Sequence, residues 1–262
     1  MPRRHTRRPL TDALIIFAKA PEPGQVKTRL SPPLTSRQAA QLHEAFVLDL
    51  ARATQRLPGV TRWLACSPSA HHPFFLRLAR RVRCQLLTQS GDTLGDRMAS
   101  ALRQVLEAGA TRAVLIGTDV PTLPLQVITD AFRQLRRADL VLGPACDGGY
   151  YLVGVARRAP PIFDEIAWSR PTVLEATLHR IRALKLRCRL LPFWYDVDTV
   201  PSLRLLAAHL ALLRSAGHST SGAGSRASPA ATARLCAALL AFQKTKAPGF
   251  SRGPRRNSRP AR

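Results

Sequence analysis

Seven short apolar runs, separated by stretches of helical period, limit what this chain can fold into more than any other feature. The runs are 13–18, 61–65, 83–87, 113–117, 140–143, 150–155 and 187–191. Each is too short for a helix, so each predicts a strand. The stretches between them are amphipathic. Leu42, Phe46, Leu50 and Ala53 mark one helix face behind a Thr35-x-x-Gln38 capping box. Leu94, Met98, Leu102 and Val105 mark a second, and Val127, Ala131 and Leu135 a third, with Pro124 tolerated in its first turn. Val173, Thr177, Leu178 and Ile181 follow a Thr172-x-x-Glu175 box, and Leu203, Leu206, Ala207 and Leu210 mark the last. Strands alternating with helices predict an α/β fold with a mostly parallel sheet flanked by helices.

Composition separates a body from two basic ends. The chain has 262 residues and a formal charge of +24, from 40 Lys and Arg against 16 Asp and Glu. Residues 1–9 hold four Arg, and residues 215–262 hold nine Lys or Arg; neither stretch holds an acid. What remains is about +11. Residues 1–10 therefore read as a basic arm, 11–214 as one domain, and 215–262 as a basic, disordered tail in which only 235–242 has helical character. Such ends attract polyanions, so non-specific nucleic-acid binding by both is expected. Five widely spaced cysteines form no C-x-x-C and no zinc spacing, which points to a reducing cytoplasm. No apolar stretch reaches the length of a membrane span.

Four segments carry chemistry. The loop after the first strand, FAKAPEPGQVKTRL, combines Pro21, Pro23 and Gly24 with Lys19, Lys27 and Arg29. Stiffness, close backbone approach and three cations suit a di- or triphosphate beyond the carboxyl end of a strand. A solvated loop in a basic protein is the competing reading. In VLIGTDVP, Asp119 follows a strand and can hold a divalent cation against phosphates, or simply serve as a turn residue. In GPACDGGYYL, Asp147 is expected to face substrate as base or orienter, with Gly148 and Gly149 admitting it closely and Tyr150 on the substrate side. In FWYDVDT, Asp196 and Asp198 alternate; one can face a metal while the other bonds backbone or caps the next helix. Asp96 and Arg97 begin a helix, where Asp96 suits the macrodipole and both have a lesser claim on substrate. His71-His72-Pro73 reads as a surface turn and Trp168 as packing.

These motifs, with GDTLGDRM, IGTDVPTLP, Trp168-Ser169 and DVDT in the same order, resemble a bacterial family of GT-A-like proteins. Its members are often described as glycosyltransferase-like, some linked to arsenosugar biosynthesis. The family is related to 2-phospholactate guanylyltransferases and to molybdenum-cofactor nucleotidyltransferases. The resemblance spans about residues 13 to 200. It implies a nucleotide-diphospho-sugar transferase fold, a nucleotide cradled by the first loop, and Mg²⁺ or Mn²⁺ near Asp119 and Asp198. Val200-Pro-Ser-Leu203 lacks an acid usual there, and Arg170 stands where a small residue commonly follows Trp-Ser.

The leading expectation is a metal-dependent glycosyltransferase taking a nucleotide-sugar donor and a small-molecule acceptor. The second is a nucleotidyltransferase releasing pyrophosphate, which the same loop and carboxylates would serve. The third is a non-catalytic nucleic-acid-binding protein, motivated by charge alone; no recognised binding module accompanies it.

Overall fold

The computed structural model describes residues 11–218 and 229–246. Seven strands, β1 (Asp12–Lys19), β2 (Val60–Ser67), β3 (Gln85–Thr88), β4 (Arg112–Gly117), β5 (Leu140–Pro144), β6 (Tyr150–Ala156) and β7 (Cys188–Leu190), form one sheet. Their order is β3-β2-β1-β4-β6-β5-β7. Only β6 runs antiparallel, between β4 and β5. The seven apolar runs are thus the seven strands, and the carboxyl ends of the other six share one edge.

Among the described residues, seven α-helices flank the sheet or pack beyond it: α1 (Ser36–Ala53), α2 (Pro73–Val82), α3 (Leu94–Glu107), α4 (Leu125–Gln134), α5 (Val173–Ala183), α6 (Val200–His218) and α7 (Ala230–Lys246). The period-two pattern decides which layer each strand residue joins. In β1, Leu14, Ile16 and Ala18 pack against α1, α2 and α4, while Ala13 and Ile15 pack toward α3 and α5. A strand buried on both faces must be apolar at every position, which is why β1 and β4 read as unbroken runs. A third cluster lies beyond the sheet. It joins Leu30 and Leu34 of the first loop, Leu42 and Phe46 of α1, Val197, three leucines of α6, and Ala233, Cys236 and Leu239 of α7.

Three expectations need correction. The domain boundary at 214/215 falls inside α6, which continues to His218, and residues 230–246 form a docked helix rather than a loose tail. Buried Asp49 of α1 accepts hydrogen bonds from the Thr232 N–H at 2.7 Å and the Ala231 N–H at 3.3 Å. It caps α7 from another element. Residues 1–10, 219–228 and 247–262, which carry most of the charge assigned to the ends, lie outside the described residues. The His71-His72-Pro73 turn opens α2: the Phe74 N–H donates to His72 Nδ1 at 3.2 Å, and Pro73 takes the first helical position, where no N–H is needed. Thr172 makes no side-chain cap, so the Thr172-x-x-Glu175 box does not form. Among the described residues, no helix is long and apolar enough to cross a membrane.

Candidate active site

The carboxyl edge of the sheet gathers the first loop, the β4–α4 turn, the β5–β6 loop and the segment after β7. Val26 and Leu30 are buried and anchor the first loop from both sides of Lys27. Between these anchors, Lys27 is left-handed, at φ 51°. That conformation costs a non-glycine residue about 1–2 kcal/mol, and here it turns the side chain inward until 2% is exposed. The ammonium donates to Asp119 Oδ1 at 2.6 Å, to Asp198 Oδ1 at 2.7 Å and to the Val197 carbonyl at 2.8 Å. An ammonium has three protons, so all three are used. The Phe46 ring lies 5.3 Å from Nζ.

The two carboxylates hold this geometry together. The Val197 N–H donates to the Asp119 carbonyl at 2.9 Å, tying the β4–α4 turn to the segment that carries Asp198. Burial opposes the Lys27 charge, but Asp119 and Asp198 outweigh it and hold Lys27 above its ordinary value. Burial likewise opposes the Asp119 charge; Lys27, then His43, outweigh it and hold the carboxyl below the usual range. Both acids keep a wet side: 38% of the Asp119 side chain and 37% of Asp198 are exposed.

Asp196 joins them on different terms. Its Oδ2 is buried with no hydrogen-bond partner. Burial, then repulsion from Asp147, Asp119 and Asp198, pushes its pKa up to about 7. Neither alternating acid caps α6, because Thr199 and Ser202 do so reciprocally. His43, unremarked in the sequence, is buried beneath the site with Nε2 3.0 Å from the Lys19 carbonyl.

The remaining predicted residues divide into open and occupied. Lys19 and Arg29 are exposed and offer cations outward. Gly24, at φ +83°, has open space where a side chain would stand. Lys27 was expected to bind phosphate directly, but every proton it carries is already taken. Asp147 is exposed, and its Oδ1 accepts from the Gly149 N–H at 2.9 Å. Gly148 was expected to admit substrate; instead a Cβ there would lie 1.9 Å from the Pro171 carbonyl oxygen, at φ +89°. Its missing side chain lets the β5–β6 loop cross the start of α5, where the Leu174 N–H donates to the Gly148 carbonyl. Tyr150 packs in the layer under α3 and α5, edge-on to Trp168 at 6.4 Å. Asp96 and Arg97 are engaged within their own loop, Asp96 in a capping box with Thr93 and Arg97 on the Gly91 carbonyl.

Among the described residues, no group of three or more His, Cys, Asp or Glu side chains is placed to hold a metal ion. The donor set does fit an ion that arrives with its own ligands. Mg²⁺ typically takes one or two carboxylates and completes its shell with substrate phosphates and water. The buried, unpartnered Asp196 oxygen stands close enough to both carboxylates for their charges to raise its pKa.

Comparison with known proteins agrees with this architecture. Residues 50–170 match the family described as "Uncharacterized protein conserved in bacteria (DUF2064)". The crystal structure of a "putative nucleotide-diphospho-sugar transferase" from Desulfovibrio desulfuricans G20 is similar at 30% identity and a TM-score of 0.73. The match covers 89% of this chain and 97% of that one. A 4-diphosphocytidyl-2C-methyl-D-erythritol synthase from Anaerococcus prevotii shares the fold alone. It has 8% identity and a TM-score of 0.50, over 77% of this chain and 96% of that one. No curated protein matches the chain. The fold is GT-A-like, of the nucleotide-diphospho-sugar transferase type.

Proposed function

Because this chain belongs to the family of the Desulfovibrio protein and carries the DUF2064 segment, we propose that it is a metal-dependent transferase. In this reading it moves a glycosyl group from a nucleotide-sugar donor to a small-molecule acceptor. The observation that carries the reading is the pairing of Asp119 and Asp198 through Lys27 at the carboxyl edge of the sheet. Ligands of open α/β sheets bind at that edge. Lys19 and Arg29 face the donor's diphosphate. Asp119 and Asp198 hold Mg²⁺ or Mn²⁺. When bound, the ion offsets the charge that builds on the leaving nucleoside diphosphate. Asp147, exposed and oriented by the Gly149 N–H, takes the proton of the acceptor hydroxyl. The five cysteines are free thiols, which fits a cytoplasmic enzyme.

Nucleotidyl transfer is the second reading. Two outward cations on a stiff loop suit a triphosphate as well as a diphosphate, and pyrophosphate would then leave. The leaving group separates the two chemistries. The test is thermal shift against nucleoside di- and triphosphates and nucleotide sugars, each with and without Mn²⁺. One nucleotide class should raise the midpoint only with metal, and Asp119→Asn should lose that dependence while remaining folded. Metal coupling that is equal in wild type and Asp119→Asn would remove Asp119 from the ion site and take the main support from the reading.

A further inference from the structure

Lys27 presents a conflict. It belongs to the loop that faces the phosphates, yet its ammonium is spent on the two carboxylates assigned to the ion. It touches the same Oδ1 atom of each, at 2.6 and 2.7 Å, and its third proton is fixed by the Val197 carbonyl. The side chain is 2% exposed and held there by a left-handed backbone between two buried anchors. A phosphate-binding lysine in waiting would point its protons at solvent, as exposed Lys19 can.

We propose that Lys27 is an internal counter-ion standing where the divalent cation is needed, and that it yields the two carboxylates to a cation only when a phosphate is present to receive its ammonium. The inference rests on the transferase reading above and adds an order of events to it. Two carboxylates brought together without a cation repel each other. The ammonium keeps Asp119 and Asp198 in register until substrate comes. A divalent ion held by the same two carboxylates would stand against the positive charge of Lys27. Free metal is therefore disfavoured. A metal that enters with a phosphate brings the acceptor that Lys27 requires, so the ammonium moves from carboxylate to phosphate without losing its charge partners. Metal and phosphate binding are coupled through one side chain, and either must favour the other by the same factor.

Mn²⁺ binding, followed by electron paramagnetic resonance of the free ion, tests this without any turnover. Wild type is titrated with Mn²⁺ alone and then with inorganic pyrophosphate present. Lys27→Gln and Lys27→Met are titrated in the same way. The expected result is at least a tenfold gain in affinity for Mn²⁺ alone in both variants. They should also lose most of the pyrophosphate enhancement seen in wild type. If pyrophosphate tightens Mn²⁺ binding to wild type but neither variant binds Mn²⁺ alone more tightly, the counter-ion role is overturned while the transferase reading stands. If the variants gain affinity for Mn²⁺ but pyrophosphate does nothing to wild type, the ammonium does stand in the ion's place, but its exchange for a phosphate is overturned and the transferase reading loses its support with it. A second measurement uses wild type only and covers variants that do not fold. Lys27 should resist acetylation in the free protein and with Mn²⁺ alone, and its labelling should change only when Mn²⁺ and pyrophosphate are both present, with exposed Lys19 as the internal reference. Lys27 labelling that changes with Mn²⁺ alone, or that stays unchanged with Mn²⁺ and pyrophosphate together, would overturn the proposal.

Discussion

His43 is the residue whose protonation state most clearly belongs to the fold. Its Nε2 faces the Lys19 carbonyl, which only accepts, so Nε2 carries the proton and Nδ1 must not. Nδ1 is buried without a partner. Burial pushes the imidazole below its ordinary value of 6.5, and the Asp119 charge does not reverse it. Above pH 6.5 the ring is neutral in both folded and unfolded chains and costs nothing. Below it, the unfolded chain takes a proton first, so stability is lost as pH falls. Denaturant midpoints of wild type and His43→Gln should therefore diverge between pH 8 and pH 5, with wild type losing more. Parallel curves would show that His43 is free to charge in the fold. Sequence reasoning placed Asp119, Asp147 and Asp198 at strand ends because a lone acid after an apolar run is a local signal. It missed His43 and the inward turn of Lys27 because their partners are remote; Lys27 meets Asp198 across 171 positions.

Elements show the same division between local and remote causes. All seven strands were legible, since short runs alternating with amphipathic stretches need no further context. α2 was not, because its start is signalled by His72-Pro73 rather than by Ser, Thr, Asp or Asn. α7 was mostly hidden for two reasons. Its alanines blur any apolar stripe, and its cap is supplied by Asp49 of α1. An N-cap acid is worth about 0.5–2 kcal/mol. Asp49→Ala should lower stability by roughly that amount, more than Asp49→Asn, which keeps an acceptor. A chain ending at residue 218 should fare worse, because it uncovers the cluster around Leu42, Phe46 and Leu206. Its thermal midpoint should fall by several degrees or more, and its pretransition state should bind a hydrophobic dye. A midpoint equal to that of the full chain would show that α7 is dispensable.

At the scale of the whole molecule, charge is the property that reaches furthest. From residue 50 to residue 91 the chain holds seven arginines and no acid. If the proposed function holds, a nucleotide approaching such a body is attracted before it touches the site, over a range of about 10 Å at 0.1 M salt. Its association rate should fall several-fold when ionic strength is raised about tenfold, while dissociation changes little; stopped-flow mixing reads both. An association rate indifferent to salt would confine the electrostatics to Lys19, Lys27 and Arg29. The link between Asp49 and Thr232 joins residues 183 apart, and that matters before the protein is ever free in solution. At roughly 5–20 residues per second, a ribosome needs on the order of ten to forty seconds to travel from one to the other. Throughout that interval Leu42 and Phe46 wait without their outer wall. The nascent chain must carry an uncovered apolar cleft beside the candidate site, and release it only when α7 emerges and closes over it. A chain whose synthesis stops early keeps the cleft, and with it a mark by which chaperones and proteases recognise unfinished work.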